Sequence, residues 1–200
     1  DSVSSRNNGD GFNVHGSWKD VILVQCAAEE NGNDGRRWDG DGYTFHDDST
    51  GRLVRCTARN NRKSAVANVN QSTLDMDRCI FTHETNGTVP LVYLQGKRFS
   101  LTNSVVYSAA QAGTGLQTRE GEILVRNTIV QGFDTGFENR GAALTQDHNI
   151  VFGAKTPYKG IDPGAGSLVS DPLFTDPSRL DFTLSPSSPA IDAGADTVSR

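Results

Sequence analysis

The segment Gly11-Phe-Asn-Val-His-Gly16 is the first of six short copies of one pattern, and the spacing of these copies decides the fold. The five later copies are Gly42-Tyr-Thr-Phe-His-Asp47, Val66-Ala-Asn-Val-Asn-Gln71, Leu91-Val-Tyr-Leu-Gln-Gly96, Gly115-Leu-Gln-Thr-Arg-Glu120 and Gly136-Phe-Glu-Asn-Arg-Gly141. The fifth residues are separated by 31, 24, 25, 24 and 21 positions; they are His15, His46, Asn70, Gln95, Arg119 and Arg140. A repeat of this length is typical of a solenoid, in which each unit buries its apolar face against its neighbours.

A second ladder follows the first with separations of 30, 23, 25, 24 and 21; its members are Cys26, Cys56, Cys79, Ser104, Thr128 and Asn149. Since the two ladders stretch and shrink together, we expect every coil to contribute one residue to each. The three cysteines should therefore stack inside the solenoid. They should remain unpaired, because in-register Cβ atoms point the same way rather than toward each other.

The matching segments are short and rich in β-branched residues, and turn formers such as Asn60-Asn61 separate them. Helical spacing of apolar residues is absent over three turns, and so is the signature of leucine-rich repeats. The sequence therefore predicts an all-β, single-stranded, right-handed parallel β-helix of about six to seven coils over residues 1–155. Residues 156–200 lose the period and are expected to form an irregular C-terminal capping segment.

Charge and composition exclude several classes of partner. A formal charge of −5 argues against nucleic acid, and no basic run or long apolar run indicates a membrane. No cofactor is expected. Acidic residues near the turns are compatible with Ca²⁺, but the nonapeptide calcium motif is absent.

The first residues, 1–8, are similar to the end of a later coil, Cys56-Thr-Ala-Arg-Asn-Asn61, so we expect them to form the end of a coil. A coil without a cap presents unpaired strand edges. We therefore expect missing residues or a second chain to cover the N-terminal end of the solenoid.

The C-terminal sequence carries a family resemblance. Gly166-Ser-Leu-Val-Ser-Asp-Pro-Leu-Phe174, followed by Asp181-Phe-Thr-Leu-Ser-Pro-Ser-Ser-Pro-Ala-Ile-Asp-Ala-Gly194, resembles the closing segment of secreted bacterial parallel β-helix repeat proteins of the pectate-lyase-like superfamily. That group includes polysaccharide lyases, C5-epimerases and glycoside hydrolases. The resemblance implies a β-helix and a secreted or extracellular location, but not one particular chemistry.

Alternation within each copy predicts which residues face outward. Apolar residues such as Phe12 and Val14 should point into the core, and the residues between them should form two exposed columns. The first predicted column is Asn13, Thr44, Asn68, Tyr93, Gln117 and Glu138; the second is His15, His46, Asn70, Gln95, Arg119 and Arg140. Coils rise by about 4.8 Å, close to the length of one sugar ring, so a polysaccharide could lie along this face. An ordinary solvated face with stacked amides is the alternative.

The second coil adds two features. An inserted loop, Gly35-Arg-Arg-Trp-Asp-Gly-Asp41, carries Arg36, Arg37 and Trp38, which could stack on a sugar and bind its carboxylate. After it, His46-Asp47 resembles the last two residues of the Asp-Pro-His-Asp segment of mannuronan C5-epimerases. Thr44-Phe45 stands where that motif has Asp-Pro, so one residue of the family's catalytic set is missing. A structural role as turn residues is the alternative for Asp47 and Asp48.

These observations favour a carbohydrate-active β-helix that acts on or binds an acidic polysaccharide, most consistent with a lyase or C5-epimerase. His46 would transfer the proton with His15 or Tyr93 as partner. Asn13, Asn68, Asn70, Gln95 and the loop residues would bind substrate, and Arg119 and Arg140 would hold distal acidic sugars. Glycoside hydrolysis is less favoured, because the two columns contain one carboxylate, Glu138, rather than a facing pair. The alternative is a non-catalytic carbohydrate-binding or adhesive module, or a fragment of a larger β-helix protein.

Overall fold

The computed structural model describes residues 1–33, 40–84 and 89–196, and in these residues the chain winds through three parallel β-sheets. Sheet A contains β1 (Val3–Ser5), β4 (Ala27–Glu29), β7 (Thr57–Arg59), β10 (Ile80–His83), β13 (Val105–Ser108), β16 (Ile129–Gln131) and β19 (Ile150–Phe152). Sheet B contains β2 (Phe12–Val14), β5 (Tyr43–Phe45), β8 (Val66–Val69), β11 (Val92–Gln95), β14 (Thr114–Thr118), β17 (Thr135–Asn139) and β20 (Thr156–Lys159). Sheet C contains β3 (Val21–Val24), β6 (Thr50–Val54), β9 (Thr73–Asp77), β12 (Arg98–Thr102), β15 (Glu122–Arg126) and β18 (Ala143–Asp147).

Each coil passes through sheets A, B and C in turn, and every strand pairs with its equivalent one coil away. The predicted parallel β-helix is therefore confirmed, with seven strands in sheets A and B and six in sheet C. The last solenoid strand, β20, begins just after the predicted limit at residue 155. The only helical turn among the described residues is a 3₁₀ turn at Pro177–Arg179, and none of them forms a helix long and apolar enough to cross a membrane.

The core runs as continuous rows of side chains along the solenoid axis. Phe12 stacks on Tyr43 with ring centroids 5.1 Å apart, and Phe137 stacks on Tyr158 at 5.4 Å. The cysteine ladder is confirmed, because all three thiols are buried and free, and the same row continues as buried Ser104, Thr128 and Asn149. Burial raises the pKa of the Cys79 thiol to about 12, which keeps it protonated at neutral pH.

Four of the six repeat copies begin with a glycine, and the reason is steric. A Cβ on Gly42 would lie 2.6 Å from the carbonyl oxygen of Ala65 in the next coil. Gly11, Gly115 and Gly136 face the next coil's carbonyl in the same way, at 2.6, 2.9 and 2.7 Å. These positions bring the backbones of successive coils too close for any side chain.

The two ends of the solenoid differ. At the C-terminal end, Leu168 bridges to Ile150, and a hairpin of β21 (Phe174–Asp176) and β22 (Asp181–Leu184) places the Phe182 ring 5.3 Å from Tyr107. At the N-terminal end, β1, β2 and β3 each pair on one side only. The inward-facing residues of this end are only partly buried: Phe12, Val14, Val21 and Leu23. What covers this end stays a prediction.

Candidate functional site

The outer face of sheet B carries two columns of side chains, as expected, and their membership follows from the strand register. Outer column one is Asn13, Thr44, Ala67, Tyr93, Gln117, Glu138 and Lys159. Outer column two lies two residues further along each strand and is His15, His46, Val69, Gln95, Arg119 and Arg140. His46, Gln95, Arg119 and Arg140 are all at least partly exposed, so outer column two faces solvent. The prediction that column one is exposed is wrong for Thr44, Gln117 and Glu138, which are buried by their neighbours in the sheet.

The prediction for the third coil is wrong by one residue. Ala67 pairs with Thr44 and Tyr93 on the outer face, while Asn68 pairs with Phe45 and Leu94, which point inward. Asn68 is fully buried and donates to Ser72 Oγ at 2.7 Å, so it cannot contact a ligand on the surface. A slip of one residue in a strand reverses every side chain, which explains the whole error.

Asn70 is exposed but lies in the turn after β8 rather than in outer column two, where Val69 takes its place. Its backbone is left-handed, with φ of 53°, like that of Asp47 one coil earlier. Asn70 Nδ2 donates to Asp47 Oδ1 at 3.2 Å, so the two turns are joined by a side-chain hydrogen bond.

His46 is held between two oxygen acceptors. Its Nδ1 lies 2.7 Å from Asp47 Oδ2, and its Nε2 lies 3.0 Å from Asn13 Oδ1. A neutral imidazole can donate to only one of these acceptors, whereas an imidazolium donates to both. His15, which belongs to the same coil as Asn13, stacks on the imidazole ring of His46 with centroids 5.5 Å apart.

Asp10 fixes the orientation of the Asn13 amide. Its Oδ2 accepts from Asn13 Nδ2 at 3.1 Å and from Thr44 Oγ1 at 2.8 Å, while its Oδ1 accepts from the backbone amides of Gly40 and Asp41. With its NH₂ group turned to Asp10, Asn13 must present its oxygen to His46. Burial, followed by the nearby charge of Asp10, raises the pKa of Asp41 to about 6.

Tyr93 lies in a separate group, two coils or about 10 Å from His46. Its hydroxyl donates to Gln95 Oε1 and accepts from Arg119 Nη1 at 3.3 Å, and Gln95 Nε2 donates to Glu120 at 2.9 Å. The structure therefore pairs His46 with His15 but not with Tyr93. Arg119 contacts Tyr93 rather than standing alone.

Glu138 forms a third group near the C-terminal end of the face. Its nearly buried carboxylate accepts from Gln117 at 2.5 Å and pairs with Arg140 at 3.2 Å and Lys159 at 2.9 Å. Burial alone would raise the pKa of Glu138, but the bonds from Lys159, Arg140 and Gln117 outweigh it and lower the pKa to about 2. Arg140 is thus engaged with a carboxylate of its own sheet.

An open cavity of about 480 Å³ lies where the strands of sheet B turn toward sheet C. It is lined by Asp47, Asp48, Asn70, Gln71, Gln95 and Glu120. In outer column two beside the cavity, Val69 takes the position between His46 and Gln95. The cavity is bordered by Asp47, the partner of His46, and by Gln95 and Glu120 of the Tyr93 group.

Of the inserted loop, Arg36, Arg37 and Trp38 lie outside the described residues. Its last two residues, Gly40 and Asp41, donate their backbone amides to Asp10 Oδ1. Among the described residues, no group of three or more His, Cys, Asp or Glu side chains is arranged to hold a metal ion.

Comparison with known proteins agrees with this architecture. Residues 1–130 match the family described as the right handed beta helix region. The chain belongs to this β-helix family. No curated protein and no solved structure matches the chain. The β-helix family accounts for the coils, whereas the chemistry of sheet B must be argued from its side chains.

Sequence reasoning about this β-helix missed Asp10 and Glu120 as parts of the polar face. Asp10 precedes β2 and reaches outer column one through Asn13, and Glu120 occupies the turn after β14. One signal for Glu120 was available, because the residue that follows outer column two is polar in three of the six coils, where it is Asp47, Asn70 and Glu120.

Proposed function

We propose that the outer face of sheet B is a polysaccharide-binding surface. The observation that carries the proposal is the open cavity at coil three, where polar side chains from coils two to five come together. Carboxylate and amide side chains bind sugar hydroxyls. Repetition every ~4.8 Å matches an extended chain of sugars.

The direct test is an array of immobilised oligosaccharides probed with the intact protein. Wild-type protein should bind at least one class of glycan. Asn70→Ala with Gln95→Ala should reduce that binding at least tenfold, because two side chains of the cavity are lost. The matched control is Asn103→Ala with Gln131→Ala, which removes the same two residue types from the turn after β12 and from sheet A; like Asn70, Asn103 has a left-handed backbone. Failure of every glycan to bind, or equal losses in both double variants, would contradict the proposal.

A second candidate function is proton transfer at His46, as in a uronate lyase or C5-epimerase, and the contact between His46 and Asp47 favours it. A carboxylate at Nδ1 orients an imidazole for acid–base work at Nε2. Asn13 Oδ1 is an acceptor, so the Nε2 that bonds to it carries a proton. To act as a base, Nε2 must leave Asn13 and lose that proton to solvent, and it can then accept one from a substrate. His15 is the nearest partner for a second proton.

This candidate predicts unsaturated or epimerised products from a uronate polymer. His46→Ala should abolish turnover while binding is nearly unchanged, and Asn13→Ala should retain turnover because it frees Nε2. The control is His148→Ala, since His148 also contacts an aspartate but lies after sheet C. Unchanged turnover in His46→Ala would remove His46 from the mechanism, and absence of product from all uronates would leave binding as the function.

A further inference from the structure

We propose that the cavity at coil three selects a neutral, hydroxyl-rich sugar and excludes a uronate; this inference rests on the proposed binding of a polysaccharide to sheet B and argues against the second candidate, uronate chemistry at the adjoining His46. The site is built from two carboxylate–amide pairs and two further polar side chains. A preference of this cavity for neutral sugars differs from the general preference for acidic glycans that the arginines of this face suggest.

The two pairs stand on opposite sides of the cavity. On one side Asp47 Oδ1 accepts from Asn70 Nδ2 at 3.2 Å, and on the other Glu120 Oε1 accepts from Gln95 Nε2 at 2.9 Å. A carboxylate beside an amide offers acceptors and a donor at neighbouring positions. Vicinal hydroxyl groups of a sugar, each of which both donates and accepts, match this arrangement.

Two lining side chains are available for further bonds. Asp48 and Gln71 are exposed, and neither side chain makes a hydrogen bond within the described part of the chain. Asp48 and Gln71 have left-handed backbones, with φ of 62° and 64°. Each follows another left-handed turn residue. The cavity therefore has unused acceptors and donors at its rim.

Charge decides between neutral and acidic sugars. The lining contains three carboxylates, Asp47, Asp48 and Glu120, and no lysine or arginine. Hydrogen bonds from His46 and Asn70 lower the pKa of Asp47, so its charge is present at neutral pH. A uronate carboxylate placed among these groups is repelled.

The cations near the cavity are directed to other partners. Lys19 Nζ donates to the backbone carbonyl of Asp48, and Arg119 donates to the hydroxyl of Tyr93. Further along the face, Arg140 and Lys159 pair with Glu138. Lys19 and Arg119 bond to uncharged groups and keep their charge, so these two cations, which lie outside the lining, offset its three carboxylates only in part.

The test compares matched oligosaccharides on the intact protein at low ionic strength and in EDTA, because a divalent cation could bridge two carboxylates. The probes are mannohexaose against hexamannuronate and galactohexaose against hexagalacturonate, within an array of neutral and uronate glycans. We expect the best neutral glycan to bind about tenfold more tightly than its uronate counterpart. Asp48→Asn with Glu120→Gln should reduce this ratio to about twofold or less, since two of the three charges are removed.

Asp48→Asn alone is the safeguard for folding, since Asn tolerates the left-handed backbone and the Asp48 side chain has no bond to lose within the described residues. This single variant should give a ratio of neutral to uronate affinity between that of the wild type and that of the double variant. Asp162→Asn, a matched removal of an exposed charge far along the chain, should leave the ratio unchanged.

The outcomes separate this inference from the function on which it rests. Tighter binding of uronates than of neutral glycans would overturn the inference and leave polysaccharide binding intact. A ratio that stays the same in the double variant would also overturn it. Binding of no glycan at all would overturn both.

Discussion

His46 Nδ1 lies 2.7 Å from Asp47 Oδ2, while the other ring nitrogen faces Asn13 Oδ1 at 3.0 Å. The imidazole is therefore held at both of its nitrogens. Asn70 fixes Asp47 from the next coil, so a chain of hydrogen bonds links coils one, two and three. Such a fixed polar edge is suited to a binding site that keeps its shape when empty.

The contact between His46 and Asp47 should contribute a favourable coupling energy to the stability of the fold. In a double-mutant cycle with His46→Ala and Asp47→Asn, the free energy of unfolding should show positive coupling at neutral pH. Because the pKa of folded Asp47 is lowered, its contribution is present above the unfolded pKa and lost as pH falls through the folded pKa. Urea unfolding at neutral and acidic pH measures both effects. A coupling that is absent at neutral pH would show that the contact is not formed in solution.

Glu138→Gln should destabilise the solenoid at neutral pH and have less effect in acid. The folded pKa of about 2 lies below the ordinary value of 4.5, so the stabilisation exists above about pH 4.5 and is lost between there and pH 2. We expect a loss of about 1–3 kcal/mol in the free energy of unfolding at pH 7. Glu122→Gln, an exposed carboxylate of sheet C, is the control and should change stability little. Equal losses at pH 7 and pH 2 would contradict the ion-pair account.

Gly42→Ala should cost far more stability than Gly9→Ala. A Cβ at Gly42 would lie 2.6 Å from the carbonyl oxygen of Ala65 and 2.8 Å from Asn61 Nδ2, whereas a Cβ at Gly9 meets nothing within 4 Å. Overpacking of this kind costs about 1–3 kcal/mol, while alanine at an open site is neutral or slightly stabilising. Urea unfolding compares the two variants. Similar midpoints would show that the coils can separate to admit a methyl group at Gly42.

The solenoid could be predicted from sequence because its repeat appears twice, once on the surface and once in the core. The core ladder was placed correctly, since Cys26, Cys56 and Cys79 occupy one buried row. The surface ladder was not, because Asn70 resembles His46 in polarity while the true equivalent is Val69. The core step from Cys56 to Cys79 is 23 residues, and the same step from His46 gives Val69.

The contacts of the candidate site were less predictable than the coils. Glu120 and Asp10 reach the face of sheet B from turns, and no periodic pattern marks the direction of a turn side chain. The pairing of Arg140 with Glu138 depends on neighbouring coils, where a distance of about 4.8 Å brings opposite charges together. Sequence spacing identifies which residues are neighbours on adjacent coils. It does not show which of several polar side chains form a hydrogen bond or an ion pair with each other.

The most direct test of the central claim is a methyl-resolved NMR titration with the tightest-binding hexasaccharide from the array. Val69 is the only valine in the outer columns of sheet B, and Val54 holds a comparable outward position on sheet C. If the polysaccharide lies across coil three, the Val69 methyl resonances should shift in proportion to bound ligand while those of Val54 stay unchanged. Shifts at Val54 with none at Val69 would show that sheet B is not the binding face.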